Sequence, residues 1–351
     1  MQPVRLGVVG CGVIGPHHMA GALKSPLVEL VAVADLIGDR AQTAAEKFSV
    51  PKTYIEGNDL IEDPDVEAVV LALPACGRLP LALHAFSRGK HVLTEKPVAM
   101  CAEDVEKMID ERGDLVAACC SSRYRLVDGG RAAAEFIATG ALGDLRSVFC
   151  RSFVAAGPPP QGQPPEWRLK RHLNAGGILT NWGCYDLDYL LGITGWSLRP
   201  RTCFAKTWTV PPQFEGHIAP DSDAETHYIA LIDCEGGIAL HIERGEYMPV
   251  AAEVAWQIIG TKGSLRLTMT QSSPKRILFD DASTEQGVQT KTVWEQEEPT
   301  DVMSERLLTD FASAIREGHR PETDLERALV IAQISDAIYR SAASGTAVPV
   351  G

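Results

Sequence analysis

Two stretches of the chain hold side chains able to move a proton or stabilise an oxyanion. One is "TEKPV", Thr94–Val98, with an ammonium at Lys96; the other is "GGILTNWGCYDLDYL", Gly176–Leu190. If the second is helical, Asn181, Tyr185 and Asp188 are spaced i, i+4, i+7 and share one face. Taking a hydride from a carbinol requires its hydroxyl proton to leave, so a base must stand within hydrogen-bond reach. Asn181 cannot be that base. A free phenol titrates near ~10, too high for neutral pH, but a cation within about 4–6 Å stabilises phenolate and brings it down. Lys96 is the natural cation, and it can also donate to the substrate oxygen where negative charge develops. The expected roles are Tyr185 as acid/base, Lys96 as electrostatic partner and alternative proton carrier, and Asn181 as a positioning donor. Competing readings stay open: Tyr185 as an ordinary core tyrosine, Lys96 as a turn residue held extended by Pro97, and Asp188 as a structural acid. His172, in "WRLKRHLN", reads either as a second acid/base or as a solvated loop residue.

A hydride also needs an acceptor. "GVVGCGVIGPHH" places Gly10, Gly12 and Gly15 as G-x-G-x-x-G between a first strand and a helix. That context meets a specific need: a tight turn, close backbone approach to a pyrophosphate, and a helix N-terminus that favours the anion. Asp35, twenty residues after Gly15, ends the second strand where a carboxylate accepts from both ribose hydroxyls. It repels a 2′-phosphate, and apolar Leu36 follows it, so NAD is favoured over NADP; Arg40 on the next helix weakens the preference.

Positioning such groups takes two domains, and 351 residues suffice for both. Up to about residue 120, short apolar runs (Val4–Val9, Leu30–Ala34, Ala68–Leu73, His91–Thr94, Leu115–Cys119) alternate with helical stretches such as Leu79–Arg88, the pattern of a parallel sheet covered on both faces. From about 145 the segments lengthen and alternate: Leu145–Ala155, Thr202–Val210, Glu225–Cys234, Ile238–Tyr247, Val254–Gly260 and Ser264–Met269. They read as an antiparallel sheet, with hairpins at "CEGGI" and "GTKGSL". "AAGPPPQGQPPEW" is too rich in proline for helix or central strand and reads as a lid or surface excursion. Val302–Arg316 and Asp324–Ala342 are helix-patterned.

The glycine turn, "ALHAFSRGKHVLTEKPVAM" and "EWRLKRHLNAGGILTNWGCYDLDYLLG" together resemble the glucose–fructose oxidoreductase / inositol dehydrogenase / MocA family over most of the chain. The resemblance implies an α/β protein: an N-terminal Rossmann dinucleotide-binding domain, 1–122, and a C-terminal α/β substrate-binding and oligomerisation domain, 123–351, with a large, mostly antiparallel open sheet. The terminal helices are free in this reading to pack back towards the first domain. The family's Glu-Lys-Pro motif, with its lysine at the nicotinamide, falls on Glu95, Lys96 and Pro97. Its small-residue run and Asp/His helix fall on Ala175, Gly176, Gly177, Asn181 and Tyr185. Asn181 replaces the usual Asp, Tyr185 the usual His, and Arg78 stands where many members have His; some members carry Tyr at the His position. The implied cofactor contacts are Gly10, Gly12, Val13, Ile14, Gly15, Asp35, Leu36, Arg40, Leu73, Pro74, Glu95, Lys96, Trp167 and Arg168. The implied substrate contacts are Lys96, Tyr124, Arg168, His172, Asn181 and Tyr185.

The substrate implied is a cyclic polyol: a sugar, inositol or glycoside oxidised at a ring hydroxyl, or the ketone reduced. Tyr124, Trp167 and Trp182 offer apolar faces to sugar C–H surfaces. Two rival readings are an NAD-retaining enzyme that cleaves glycosides through a transient keto-sugar, and a non-catalytic NAD-binding regulator. A net charge of −13 opposes nucleic-acid binding. The longest apolar run, Ala68–Cys76, is too short for a membrane span, and no secretory signal precedes "VRLGVVG". Nine cysteines without a C-x-x-C pair or a Cys/His cluster at ligand spacing argue against a metal site and disulfides; Cys119 and Cys120 read as strand residues. The expectation is a cytoplasmic homodimer or homotetramer assembled through the C-terminal sheet.

Overall fold

The computed structural model describes residues 2–162, 164–270 and 274–351; Gln163 of the proline-rich loop lies outside them. In chain order the elements are β1 (Val4–Val9), α1 (Gly15–Lys24), β2 (Val28–Ala34), α2 (Gly38–Phe48), β3 (Lys52–Tyr54), α3 (Gly57–Glu62), β4 (Ala68–Leu71), α4 (Arg78–Ser87), β5 (His91–Thr94), α5 (Ala102–Arg112), β6 (Ala117–Cys119), α6 (Asp128–Ala138), β7 (Leu145–Ala155), α7 (Arg171–Asn174), α8 (Cys184–Ile193), β8 (Pro200–Trp208), β9 (His227–Cys234), β10 (Ile238–Met248), β11 (Glu253–Gly260), β12 (Gly263–Leu267), β13 (Lys275–Ser283), β14 (Gly287–Gln296), α9 (Met303–Glu317), α10 (Leu325–Ser344) and β15 (Val348–Pro349). They form two compact units, Met1–Leu126 with Pro299–Ala332, and Val127–Glu298 with Gln333–Gly351. None of the helices among the described residues is long and apolar enough to cross a membrane.

The first unit holds a six-stranded sheet in the order β3-β2-β1-β4-β5-β6, every neighbouring pair parallel. Parallel strands are covered on both faces, which is why β4 is apolar and buried throughout. Val8, Val33, Val70 and Leu93 face α1, α2 and α9 through Met19, Ala41 and Phe311. Val9, Val69, Leu71 and Val92 face the other layer, with Leu60, Ala85, Met108 and Leu325. The late helix α9 thus completes this unit, and it lies so close to α1 that a Cβ on Gly21 would come within 2.6 Å of the Ser304 backbone. Chain order reverses between β1 and β4, so a ligand crevice is expected outside their carboxyl ends.

Helix α9 also carries a half-buried acid, Asp310. Burial, aided by neighbouring Glu322, pushes the Asp310 carboxyl up to about 6, while the Glu322 N–H donates to it at 2.9 Å. A folded-state value above the unfolded 3.8 stabilises the fold fully below that value, and the stabilisation is lost as pH rises through about 6. Asp310→Asn, which keeps an acceptor for the Glu322 N–H, should raise the stability at pH 8 by up to about 2 kcal/mol. The gain should vanish near pH 4; thermal melts at the two pH values check both arms.

The second unit holds a nine-stranded sheet in the order β14-β13-β12-β11-β7-β10-β9-β8-β15, antiparallel except for the β7–β10 pair. The hairpins at "CEGGI" and "GTKGSL" join β9 to β10 and β11 to β12. Strands β3, β13, β14 and β15 and helix α6 escaped the sequence reading for identifiable reasons. β3 and β15 are too short to show a period, and β14 is almost wholly exposed. β13 opens on Lys275, a lysine buried to 1% exposure and paired with Glu298 at 2.7 Å. Glu298 also accepts the Gly129 N–H at the start of α6 (2.7 Å), a tie invisible without the fold. Several expected strand ends moved by one or two residues: β4 stops at Leu71 rather than Leu73, β6 starts at Ala117 rather than Leu115, and β8 runs Pro200–Trp208 rather than Thr202–Val210.

Candidate active site

Each glycine of the turn after β1 answers a separate demand. Gly10 has φ +101°, and a Cβ there would lie 2.3 Å from the Ala72 carbonyl; one on Gly15 would lie 2.1 Å from the Gly10 carbonyl. A Cβ on Gly12 would meet no described atom within 4 Å, so Gly12 faces open space. Helix α1 begins just there, with no side-chain cap among the described residues, which leaves its first N–H groups for an anion. Asp35 accepts from the Cys11 N–H (2.8 Å) and the Ile37 N–H (2.9 Å), one on each oxygen. Each oxygen keeps a lone pair for a ribose hydroxyl. Val13 and Leu36 are exposed at 82% and 74%, and Arg40 is exposed. These residues fit a dinucleotide: the pyrophosphate over Gly12 and the N-terminus of α1, the ribose on Asp35.

Lys96 stands beyond the carboxyl end of β5 in the same unit, half-buried, in a cis peptide bond with Pro97. Its backbone is gripped from two sides. Arg78, buried to 4% exposure, donates from Nε to the Leu73 carbonyl (2.9 Å) and from Nη1 to the carbonyls of Glu95 (2.8 Å) and Pro97. Glu95 accepts the Lys96 N–H on Oε2 (3.1 Å), while His18 (2.8 Å) and Arg123 meet Oε1. Burial works to raise the Glu95 carboxyl, but Arg123, and after it His18 and Lys96, hold it well below the usual carboxylate range. Glu95 is thus a buried anion that holds the Lys96 backbone in place.

No sequence spacing signalled that His18, Glu95 and Cys120 would bring ligand-type atoms within 4.8 Å of one another. The Arg123 guanidinium on the same Glu95 oxygen, and burial that drives the Cys120 thiol well above its ordinary value, make this an ion-pair network. Cys119 is buried as well and ends β6, whereas Cys120, expected in the strand, opens the short turn that follows it. Tyr124, half-buried, closes the short turn after β6.

In the second unit, the stretch read as one helix is two. Leu179–Gly183 form a π turn, and regular α-helix begins only at Cys184. Asn181 therefore does not share a continuous α-helical row with Tyr185 and Asp188, a correction to the simple i, i+4, i+7 picture. The turn coincides with Gly183, where a Cβ would meet the Tyr228 hydroxyl at 2.5 Å. Single π turns of this kind recur at functional sites. The small residues ahead of it are sterically required: a Cβ on Gly176 would lie 1.8 Å from the Tyr339 hydroxyl, and one on Gly177 1.8 Å from the Glu225 carbonyl. Glu225, buried to 1% exposure, receives the N–H groups of Gly177 (3.0 Å) and Leu179 (3.1 Å) and the Tyr339 hydroxyl (2.9 Å) on one oxygen. Nothing in the sequence marked Glu225 for this task. Gly177→Ala should cost about 2–4 kcal/mol or prevent folding, since backbone rather than a flexible tip must give way; chemical denaturation checks it.

Tyr185 is buried at 4% exposure, its ring edge-on to Trp182 at 5.6 Å between centroids. Asn181 is half-buried. Asp186, which the sequence reading passed over, makes a buried two-pronged pair with Arg244 (2.5 and 2.7 Å), and that guanidinium lies over Trp182 at 5.1 Å. This pair anchors α8 to β10. Asp188 is wholly buried, in keeping with a structural acid. Arg168 binds Glu246 and the Tyr247 hydroxyl (3.0 Å) within this unit, Trp167 is 38% exposed, and His172 is exposed on α7.

Residues 4–115 match the family model described as "Oxidoreductase family, NAD-binding Rossmann fold", and residues 131–266 match the "GFO/IDH/MocA C-terminal domain". A dTDP-3,4-didehydro-2,6-dideoxy-alpha-D-glucose 3-reductase of Streptomyces violaceoruber is 32% identical over 281 residues, 78% of this chain and 75% of that protein. A 1,5-anhydro-D-fructose reductase of Ensifer adhaerens is 27% identical over 352 residues, 99% of this chain and 98% of that protein. The solved structure of a levoglucosan dehydrogenase in complex with NADH and L-sorbose superposes with a TM-score of 0.87 at 21% identity, covering 100% of both chains. At that identity the likeness establishes the fold.

Proposed function

The chain belongs to the GFO/IDH/MocA family of NAD-binding oxidoreductases, and from that premise we propose that it moves a hydride between NAD and a ring carbinol of a sugar, inositol or glycoside. The reading rests above all on one observation: a glycine crevice open at Gly12, with Lys96 fixed on the loop beyond β5 of the same sheet. Relatives named for anhydrosugar, deoxysugar and inositol substrates support a cyclic polyol.

NAD, when bound, accepts the hydride. Lys96 donates to the carbinol oxygen and stabilises charge as it develops. Tyr185 takes the hydroxyl proton, and Asn181 orients the substrate by hydrogen bonding. Trp167, Arg168, His172 and Tyr124 complete the proposed contacts. Nine free cysteines suit a reducing cytoplasm. The row Phe204, Leu231, His241, Phe149, Gln257 crosses one face of the second sheet in register, with Phe204 and Leu231 44% and 54% exposed. An apolar face of that kind suits a homo-oligomer, and sedimentation would show a particle of at least twice 37.9 kDa.

A panel of sugars, anhydrosugars and inositols scanned for NADH absorbance is the direct test. Net NADH with one or a few cyclic polyols is the expected result. Deuterium entering the substrate next to the oxidised carbon with the cofactor unchanged would reassign the enzyme to glycoside cleavage. NAD binding without turnover on the whole panel would make it a regulator.

A further inference from the structure

The loop bearing Lys96 is short. β5 ends at Thr94 and α5 begins at Ala102. Val98 and Ala99 anchor the loop's far end in the core, and charged groups packed beneath it hold the Lys96 end. Arg78 reaches from the first residue of α4, and its fork ties together three main-chain carbonyls: Leu73 at the rim of β4, and Glu95 and Pro97 on either side of Lys96. A guanidinium carries five donors in a rigid plane and no acceptor, so it suits several carbonyls converging on one point; an ammonium on a flexible stem does not hold the same angles. Glu95 supplies the second grip, through the Lys96 N–H on one oxygen and His18 with Arg123 on the other. The two grips differ in kind: the Glu95 side-chain network spans α1, β5 and the turn after β6, whereas the Arg78 fork binds both sides of Lys96 to Leu73, past the end of β4. The Glu95 N–H also ties the loop to β4, through the Leu71 carbonyl (3.1 Å).

We propose that Arg78 is a positioning residue for Lys96: by tying the Leu73, Glu95 and Pro97 carbonyls together it sets where the ammonium stands along the crevice. The proposal rests on the reading that Lys96 acts at the reacting carbinol. Arg78 need not touch substrate or cofactor for this. Loss of the fork leaves the loop attached at Glu95, through its side chain and its N–H on the Leu71 carbonyl, but lets the Lys96–Pro97 end shift relative to Leu73, and a misplacement of about 1 Å can cost on the order of 10²-fold in rate.

Arg78→Lys keeps the charge and most of the stem while removing the fork; Arg78→Gln removes the charge as well. With the polyol that gives the highest turnover, both variants should lower kcat by about 30–100-fold, while the KM for that polyol and the NADH dissociation constant stay within about threefold. Amide exchange of the segment 93–100, followed by mass spectrometry in the NADH complex, should speed up by at least about tenfold. Should Arg78→Gln fail to fold, Arg78→Lys carries the test alone. An unchanged kcat in a folded variant overturns the proposal. So does a loss confined to NADH affinity, which would make Arg78 a cofactor contact. The exchange measurement needs no substrate: if no polyol is oxidised but segment 93–100 loosens in Arg78→Lys, the clamp stands and the oxidoreductase reading falls. If exchange is unchanged, the clamp itself is refuted.

Discussion

Lys96→Met should lower kcat with the best polyol by roughly 10³-fold while leaving NADH affinity nearly unchanged. One charged donor aimed at a developing oxyanion accounts for about 10²–10³ in rate, and Lys96 is also the cation expected to stabilise phenolate. Methionine keeps the length and apolar body of the side chain and deletes only the charge. The fold should tolerate it, because Lys96 is half-buried and Glu95 keeps His18 and Arg123 as partners, so no buried carboxylate is orphaned. A purely local role in the turn before Pro97 predicts the opposite pattern: lost stability with rate preserved. The decisive measurement pairs steady-state turnover with NADH titration and a substrate deuterated at the reacting carbon. The isotope effect on kcat should grow in the variant as hydride transfer becomes limiting. A variant retaining more than about a tenth of wild-type kcat would remove Lys96 from the chemistry.

Much of the nucleotide half was legible in the sequence because its requirements are local. Gly10, Gly12 and Gly15 answer to backbone angles and distances of closest approach, and Asp35 follows from the length of one strand–helix–strand unit. The second half depends on groups far apart in the chain. Glu225 reaches the start of the π turn from 46 to 48 residues away, and Arg244 meets Asp186 across 58. No periodicity can register such pairs, and a π turn leaves no mark in a pattern read at α-helical spacing. His18 was in view as the last residue of "GPHH", yet its partner lies 77 residues on. Buried charge is the common factor: Lys275, Glu298, Glu95 and Arg78 all break the apolar patterns that sequence reading relies on, because each is satisfied by a partner that only the fold supplies.

Tyr185→Phe is the sharper test of the proton path and should lower kcat for alcohol oxidation by about 10²–10⁴-fold. It deletes one oxygen and keeps the ring against Trp182, so folding stability should change by only about 1 kcal/mol. In the wild type, oxidation should quicken with rising pH as the base loses its proton; in the variant that limb should disappear. Lys96→Met should leave the limb in place but move it to higher pH, since a cation that favours phenolate has been removed. The double variant should then be little worse than the poorer single, because the two groups serve one proton-transfer step. Asn181→Ala should instead raise KM with the pH limb intact. His172→Ala is the control that can reverse the assignment: His172 is exposed on α7, and if its loss abolished the limb while Tyr185→Phe kept it, the proton would travel through the imidazole. The buried tyrosine would then be a packing residue of α8.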